Sequence, residues 1–117
     1  MSKVSLRTCL LFVADIKKSK EFYEKLFLQK PAEDLSDFVS FQFGETFFNL
    51  HLADVLSPMS TGGSVGYFCV ENLDEWIKRA KELGAQVWRG PLAIEDGWII
   101  VQIQDPFGNV IGFESKD

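Results

Sequence analysis

Two segments of the chain have the same pattern of apolar and polar positions. Each opens with a short apolar run, which ends at Val13 in the first segment and at Val70 in the second. Both runs are followed by apolar residues that recur every three or four positions, with charged residues between them. The first pattern is typical of a buried strand and the second of an amphipathic helix. The occurrence of both patterns, in the same order, in each segment indicates an internal duplication.

The residues around each helical segment predict where the helices begin and end. Asp15 is a suitable N-cap for a first helix that runs from about Ile16 to Leu28. Asn72 is predicted to cap the second helix, with Glu75 as its partner in a capping box. Gly84 is predicted to end that helix, because glycine readily takes the left-handed conformation found after many helices.

Further strands are predicted after each helix. Gly44-Glu45 and the segment 106–109 supply turn residues between paired apolar segments. The resulting order predicts an α+β fold of two βαβββ modules, with the helices outside a curved mixed sheet that forms a cup. At 117 residues the chain is expected to form a single domain, 1–117. Residues 1–53 form the first predicted module, 54–63 the linker and 64–117 the second module.

Alternation along the strands predicts which side chains share a face. Phe48, Leu50 and Leu52 are expected to meet the first helix, whereas Phe47, Asn49 and His51 point the other way. In the last strand Ile111 and Phe113 are expected on the helix side, and Val110, Gly112 and Glu114 on the opposite side. The polar side chains on these second faces are either binding-site residues or solvent-facing residues of an uncovered sheet, and the pattern alone leaves both open.

Composition and charge narrow the classes of partner. Hydrophobic residues make up 46% of the chain and the net charge is −5, with scattered basic residues. Nucleic acid and anionic membranes are therefore not expected as partners. The sequence has no secretory signal and no apolar stretch long enough to span a membrane, which favours a cytoplasmic protein. Cys9 and Cys69 are too few and too far apart for a disulfide framework or a CxxC site, so reduced thiols are expected.

Three motifs in this order carry a family resemblance over nearly the whole chain. They are Val13-Ala14-Asp15-Ile16 with Phe22-Tyr23 after it, the matching Val70-Glu71-Asn72-Leu73, and the final Asp105-Pro106-Phe107-Gly108-Asn109-Val110-Ile111-Gly112-Phe113. With these motifs the chain resembles the vicinal oxygen chelate superfamily, which includes glyoxalase, bleomycin resistance proteins and extradiol dioxygenases. The resemblance implies paired βαβββ modules around a small-molecule site.

In metal-binding members of that superfamily, up to four side chains line the cup as ligands. The resemblance assigns these positions to Thr8, Asn49, Val65 and Gly112 of this chain. None of the four is His, Glu or Asp, and a rescue through His51 and Glu114 would supply only one imidazole and one carboxylate. We therefore expect no metal and no other cofactor, and the absence of His or Glu at these positions argues against an enzyme without excluding one.

The sequence thus favours a metal-free protein that binds a small molecule, and the resemblance to the bleomycin resistance branch implies sequestration of a drug or metabolite. We expect a small organic molecule as partner and a homodimer as the assembly, which the resemblance implies. Two alternatives are a metal-dependent lyase, isomerase or dioxygenase related to glyoxalase, and a domain that mediates only protein contacts. Gly112 is expected to leave room for a bulky ligand. The candidate ligand-binding residues are Thr8, Phe47, Asn49, His51, Tyr67, Trp98 and Glu114.

Overall fold

The computed structural model describes residues 3–116 and confirms the α+β fold with two βαβββ modules. Every predicted helix and strand is present. The first module contains β1 (Thr8–Val13), α1 (Ile16–Phe27), β2 (Glu33–Asp34), β3 (Phe38–Phe43) and β4 (Thr46–Leu52). The second contains β5 (Tyr67–Cys69), α2 (Leu73–Glu82), β6 (Gln86–Ala93), β7 (Trp98–Gln104) and β8 (Val110–Lys116), with a 3₁₀ turn at Glu95–Gly97.

Each module forms its own four-stranded mixed sheet, and the strand order is the same in both. The orders are β1-β4-β3-β2 and β5-β8-β7-β6. The first strand of each module pairs in parallel with the last, and the other neighbours are antiparallel. The predicted duplication is therefore visible in the hydrogen bonding, because equivalent strands have equivalent neighbours.

The first helix begins as predicted and ends one residue earlier. The side chain of Asp15 accepts a hydrogen bond from the backbone N–H of Lys18, at 3.0 Å. At the other end Leu28 takes the left-handed conformation, with φ of 54°, and its N–H donates to the carbonyl of Glu24. This closure ends α1 at Phe27 without a glycine.

Asn72 stands at the N-cap position of the second helix, as predicted, but the capping interaction expected of its side chain is not made. Asn72 is left-handed, with φ of 55°, and its side chain makes no capping hydrogen bond. An N-cap side chain normally reaches the helix from an extended backbone, as Asp15 does, so the left-handed backbone removes the geometry that the motif needs. The end of α2 agrees with the prediction, since Gly84 follows it with φ of 100°.

Each helix packs on one face of its own sheet, as the alternation predicted. In the first module the ring of Tyr23 meets that of Phe48 edge to face, with centroids 5.0 Å apart. In the second module the ring of Trp76 lies 5.3 Å from that of Phe113. Phe48 and Phe113 are buried. Leu52 is the exception to the predicted helix-facing set, because it stands at the end of β4 and remains exposed.

The chain divides into two compact units, and the border between them lies between Met59 and Ser60. This border falls inside the segment 54–63 that the sequence suggested as a linker. Within residues 3–116, neither helix combines the length and the apolar character that a membrane crossing requires.

Candidate functional site

The face of the first sheet that points away from α1 carries four of the candidate residues: Thr8, Phe47, Asn49 and His51. The strand register arranges this face in rows of three side chains. Leu10, Asn49 and Ser40 form one row, and Phe12, His51 and Phe38 form the next. Residues paired across neighbouring strands are close enough to interact directly.

Asn49 is held by a short hydrogen bond within its row. The hydroxyl of Ser40 donates to Oδ1 of Asn49 at 2.6 Å, and Ser40 is buried. An amide side chain has one acceptor and two N–H donors. Ser40 occupies one of the two lone pairs of that oxygen, and both N–H donors of Nδ2 are left for a ligand.

His51 stands between two aromatic rings. The rings of Phe12 and Phe38 approach it edge to face, with centroid distances of 6.0 Å and 6.1 Å. Its Nδ1 atom lies 2.9 Å from the backbone carbonyl oxygen of Leu52. A carbonyl oxygen only accepts, so Nδ1 carries the hydrogen of that contact, and in the neutral ring Nε2 is then an acceptor.

Phe47 and Thr8 pair with each other at the start of β4 and β1. The guanidinium of Arg7 lies over the ring of Phe47, 4.4 Å from its centroid, which is a cation–π contact. Arg7 and Phe47 line a depression of about 520 Å³, together with Gln42 and Glu45. Phe47 therefore has a place in a concavity, as a ligand-binding residue requires.

In the second module the corresponding face carries the other three candidates: Tyr67, Trp98 and Glu114. Its most informative row consists of Tyr67, Gly112 and Gln102. The ring of Tyr67 lies directly on Gly112, and a Cβ atom added there would overlap ring carbons of Tyr67. The tyrosine reaches across β8, and its hydroxyl oxygen accepts a hydrogen bond of 2.8 Å from Nε2 of Gln102.

This row corrects the expected role of Gly112. The glycine does not leave room for a ligand, because the ring of Tyr67 takes the space that the missing side chain leaves. A glycine within a strand often marks the close approach of another group, and here that group belongs to the protein itself. Since the oxygen of Tyr67 accepts from Gln102, its own hydroxyl hydrogen is left to donate.

Glu114 and Trp98 lie further along the same face. Glu114 pairs with Cys69 on one side and with Ile100 on the other. The ring of Trp98, at the first position of β7, is approached by the amino group of Lys116, 5.8 Å from the ring centroid. The two sets of candidate residues therefore occupy one face each, in separate units of the chain.

The two cysteines are both free, and they differ in their surroundings. Cys69 is exposed, whereas Cys9 is half-buried on the helix side of β1. Burial raises the pKa of the Cys9 thiol above its ordinary value. The thiolate is the reactive species, so Cys9 is the less reactive position.

The residues at the family's metal-ligand positions do not fit a metal ion. Thr8 and Asn49 offer neutral oxygen donors, Val65 and Gly112 offer no side-chain donor, and Oδ1 of Asn49 is already engaged by Ser40. Neither unit, over residues 3–116, holds three His, Cys, Asp or Glu side chains grouped as a metal would need. Catalytic zinc and iron sites in proteins use about three imidazole, thiolate or carboxylate ligands.

Several contributors to these faces were not predicted as site residues, among them Arg7, Phe38, Ser40 and Gln102. The signal for Ser40 was present, because the two-residue turn Gly44-Glu45 fixes the register that places Ser40 opposite Asn49. Phe38 follows from the same register, opposite His51. Gln102 could be found only with the pairing of β7 and β8, and the contact of Arg7 comes from a segment that precedes the first strand.

The comparison with protein families decides which family this fold and these faces belong to. The family model of the glyoxalase-like domain matches residues 6–115, which is nearly the whole chain. The chain belongs to the glyoxalase-like family. No curated protein matches it. The family match confirms the resemblance to the vicinal oxygen chelate superfamily.

Solved structures similar to this glyoxalase-like chain share its fold over almost its full length. A glyoxalase/bleomycin resistance protein/dioxygenase family enzyme from Burkholderia phytofirmans PsJN superposes with a TM-score of 0.80 at 19% identity, covering 96% of this chain and 98% of that one. A glyoxalase/bleomycin resistance protein from Albidiferax ferrireducens T118 gives 0.79 at 19% identity, with 96% and 98% covered. An integron cassette protein from the mobile metagenome of V. cholerae gives 0.73 at 25% identity, with 100% and 98% covered.

Proposed function

We propose that this glyoxalase-like chain binds a small organic molecule through side chains alone, without a metal ion, and sequesters it rather than transforming it. The binding residues in the proposal are Thr8, Phe47, Asn49 and His51 of the first module with Tyr67, Trp98 and Glu114 of the second. A homodimer and a cytoplasmic location belong to the same proposal and stay predictions.

The observation that carries the proposal is the packing of Tyr67 on Gly112. The resemblance implies that the last-strand ligand of metal-binding members corresponds to Gly112, and the ring of Tyr67 covers that position. A hydrogen bond also holds the ring in this position, because the hydroxyl oxygen of Tyr67 accepts a hydrogen bond from Nε2 of Gln102. A metal ligand at this point would require both a new side chain on β8 and the removal of a hydrogen-bonded tyrosine from β5.

The remaining groups on the two faces suit recognition of an organic molecule. Aromatic rings offer broad contact area, and a few fixed polar groups supply orientation, which is the usual composition of small-molecule sites. Asn49 offers N–H donors, Nε2 of His51 offers an acceptor, and the hydroxyl of Tyr67 offers a further donor. A reaction of the metal-dependent kind would need a Lewis acid or a metal-bound nucleophile.

Elemental analysis of the full chain, purified without chelators, separates the two functions. We expect far less than one transition-metal ion per chain, and an unchanged content after incubation with zinc, nickel or iron followed by desalting. One tightly held metal ion per chain would overturn the proposal in favour of a lyase, isomerase or dioxygenase.

Binding itself is tested by quenching of tryptophan emission against a broad panel of aromatic drugs, metabolites and glutathione conjugates. We expect saturable quenching by at least one class of compound. Silence across the whole panel would overturn the binding proposal and favour a domain that mediates only protein contacts. The matched control is the free amino acid tryptophan, which reports quenching by collision alone.

A further inference from the structure

The first module presents a donor and an acceptor side by side, and their roles are fixed by the protein. Asn49 and His51 are two residues apart on β4 and share the face that points away from α1. Alternate residues of a strand are separated by about 7 Å. A ligand that contacts both side chains would carry two polar groups whose separation follows this backbone spacing, adjusted by the reach of the two side chains.

Asn49 is the donor of this pair. Its Oδ1 accepts the hydroxyl of the buried Ser40 at 2.6 Å, which sets the orientation of the amide. In the described part of the chain, Asn49 makes no side-chain hydrogen bond besides this one. The two N–H groups of Nδ2 are thus left for an acceptor on the ligand, such as a carbonyl oxygen.

His51 is the acceptor. The carbonyl of Leu52 lies 2.9 Å from Nδ1 and holds the hydrogen on that nitrogen, so Nε2 of the neutral ring presents a lone pair. Phe12 and Phe38 lie on the two strands beside it, and their rings approach the imidazole edge to face. A hydroxyl or N–H group of the ligand is the complement of this atom.

The surroundings of the pair favour a flat apolar body between the two polar groups. Leu10 stands beside Asn49, and the Phe12 and Phe38 rings stand beside His51. Aromatic side chains contact flat rings favourably, both face to face and edge to face. A para-substituted benzene ring with a carbonyl group at one end and a hydroxyl group at the other has the required length and flatness.

We infer that the first module selects planar aromatic molecules that carry a hydrogen-bond acceptor and, about 7 Å away, a hydrogen-bond donor. Asn49 donates to the acceptor of the ligand, and His51 accepts from its donor. This inference rests on the proposed function, because it names the class of ligand that the first module would bind. It assigns a different partner atom to each residue, and the two can therefore be tested separately.

The test uses three small probes with the full chain, followed by two-dimensional NMR titration. The complete probe is 4-hydroxybenzamide, while 4-methoxybenzamide lacks the hydroxyl donor and 4-methylphenol lacks the carbonyl acceptor. We expect each incomplete probe to bind roughly three- to tenfold more weakly than the complete one, the usual effect of one lost hydrogen bond. The side-chain amide signals of Asn49 should move with the amide probes.

Two substitutions assign each preference to its residue. His51→Phe keeps an aromatic ring between Phe12 and Phe38 but removes Nε2, so the preference for hydroxy over methoxy should vanish while the preference for the amide stays. Asn49→Asp keeps an oxygen for Ser40 but removes the N–H donors, so the opposite loss is expected. Glu71→Gln is the control. Glu71 is exposed and precedes the second helix, so this variant should keep both preferences.

The outcomes of this test are distinct from those of the proposed function. Equal affinities for the three probes, no binding of any of them alongside quenching by other compounds, or preferences that survive both substitutions would overturn the inference and leave the proposed function standing. A silent compound panel or a bound metal ion would instead overturn the proposed function. Crossed losses of preference in the two variants would support both.

Discussion

The two modules share one topology but fill the same rows of their sheets in opposite ways. In the first module, Asn49 of the last strand extends a polar side chain that Ser40 holds by a hydrogen bond. At the equivalent position of the second module, Gly112 has no side chain, and Tyr67 crosses it to reach Gln102. One row therefore exposes hydrogen-bonding groups of its central strand, and the other covers that strand with an aromatic ring.

The next row shows a similar divergence. His51 of the first module lies between Phe12 and Phe38, whereas the equivalent Glu114 of the second lies between Cys69 and Ile100. This difference shows that the shared backbone topology does not determine which side chains occupy equivalent positions on the two sheets. The hydrogen bonds of the sheet are kept in both modules, while the side chains on the open face have become independent of one another.

The largest expected effect comes from Gly112→Ala. The added methyl group would overlap the ring of Tyr67, and overpacking of this kind costs about 1–3 kcal/mol in free energy of unfolding. Urea unfolding monitored by circular dichroism measures the loss. Gly63→Ala is the control, because the closest atom that its Cβ would meet is Oγ of Ser60 at 3.8 Å.

The same substitution in a Tyr67→Ala background tests the cause. Without the ring, Gly112→Ala should cost much less, so the two changes are strongly coupled in a double-mutant cycle. Additive free energies would show that Gly112 is required for some reason other than Tyr67.

Substitutions at the starts of the two helices are expected to change the free energy of unfolding less than Gly112→Ala does, and to different extents. Asp15→Ala removes a capping hydrogen bond and should lower the free energy of unfolding by about 1 kcal/mol. Asn72→Gly removes no capping bond and suits the left-handed backbone, so we expect little loss or a slight gain. Thermal unfolding of both variants makes the comparison, and equal losses would mean that Asn72 caps its helix after all.

Tyr67→Phe is expected to destabilise the protein less than Gly112→Ala does. It keeps the ring on Gly112 and removes only the acceptor for Gln102, at a cost of about 0.5–1.5 kcal/mol. Chemical denaturation measures the change, and Ser40→Ala in the first module is the matched variant because it removes the corresponding hydrogen bond to Asn49. A loss as large as that of Gly112→Ala would contradict the separate roles given to ring and hydroxyl.

The thiols of the two modules are expected to differ in the rate at which they are alkylated. Cys69 should react with iodoacetamide faster than Cys9, because Cys69 is exposed and burial raises the pKa of Cys9. Mass spectrometry of partly alkylated protein measures both rates. Faster modification of Cys9 would show that β1 is more open than the structure indicates.

Much of the fold followed from local signals. The periods of two and of three to four residues identified the strands, the helices and their buried faces, because burial against one partner imposes those periods. The side-chain capping hydrogen bond predicted for Asn72 is absent, because it depends on more than the local pattern of residue types. The motif is defined by residue types, whereas capping depends on a backbone conformation that the residue types do not fix.

The arrangement of the candidate residues on the strands was predicted in part. Alternation placed Asn49 and His51 on one face correctly, and the turn at Gly44-Glu45 contained enough information to find Ser40. The packing of Tyr67 on Gly112 could not be predicted, since it needs the parallel pairing of β5 with β8 and the side-chain conformation of the tyrosine. Neither is encoded within a short stretch of sequence.

The most direct test of the account is the NMR signal of the Gly112 Hα protons in the presence and absence of nickel. The account predicts an upfield ring-current shift that disappears in Tyr67→Leu, and no selective broadening near Gly112 or Asn49 when one equivalent of the paramagnetic ion is added. An unshifted signal, or broadening confined to those two strands, would contradict it.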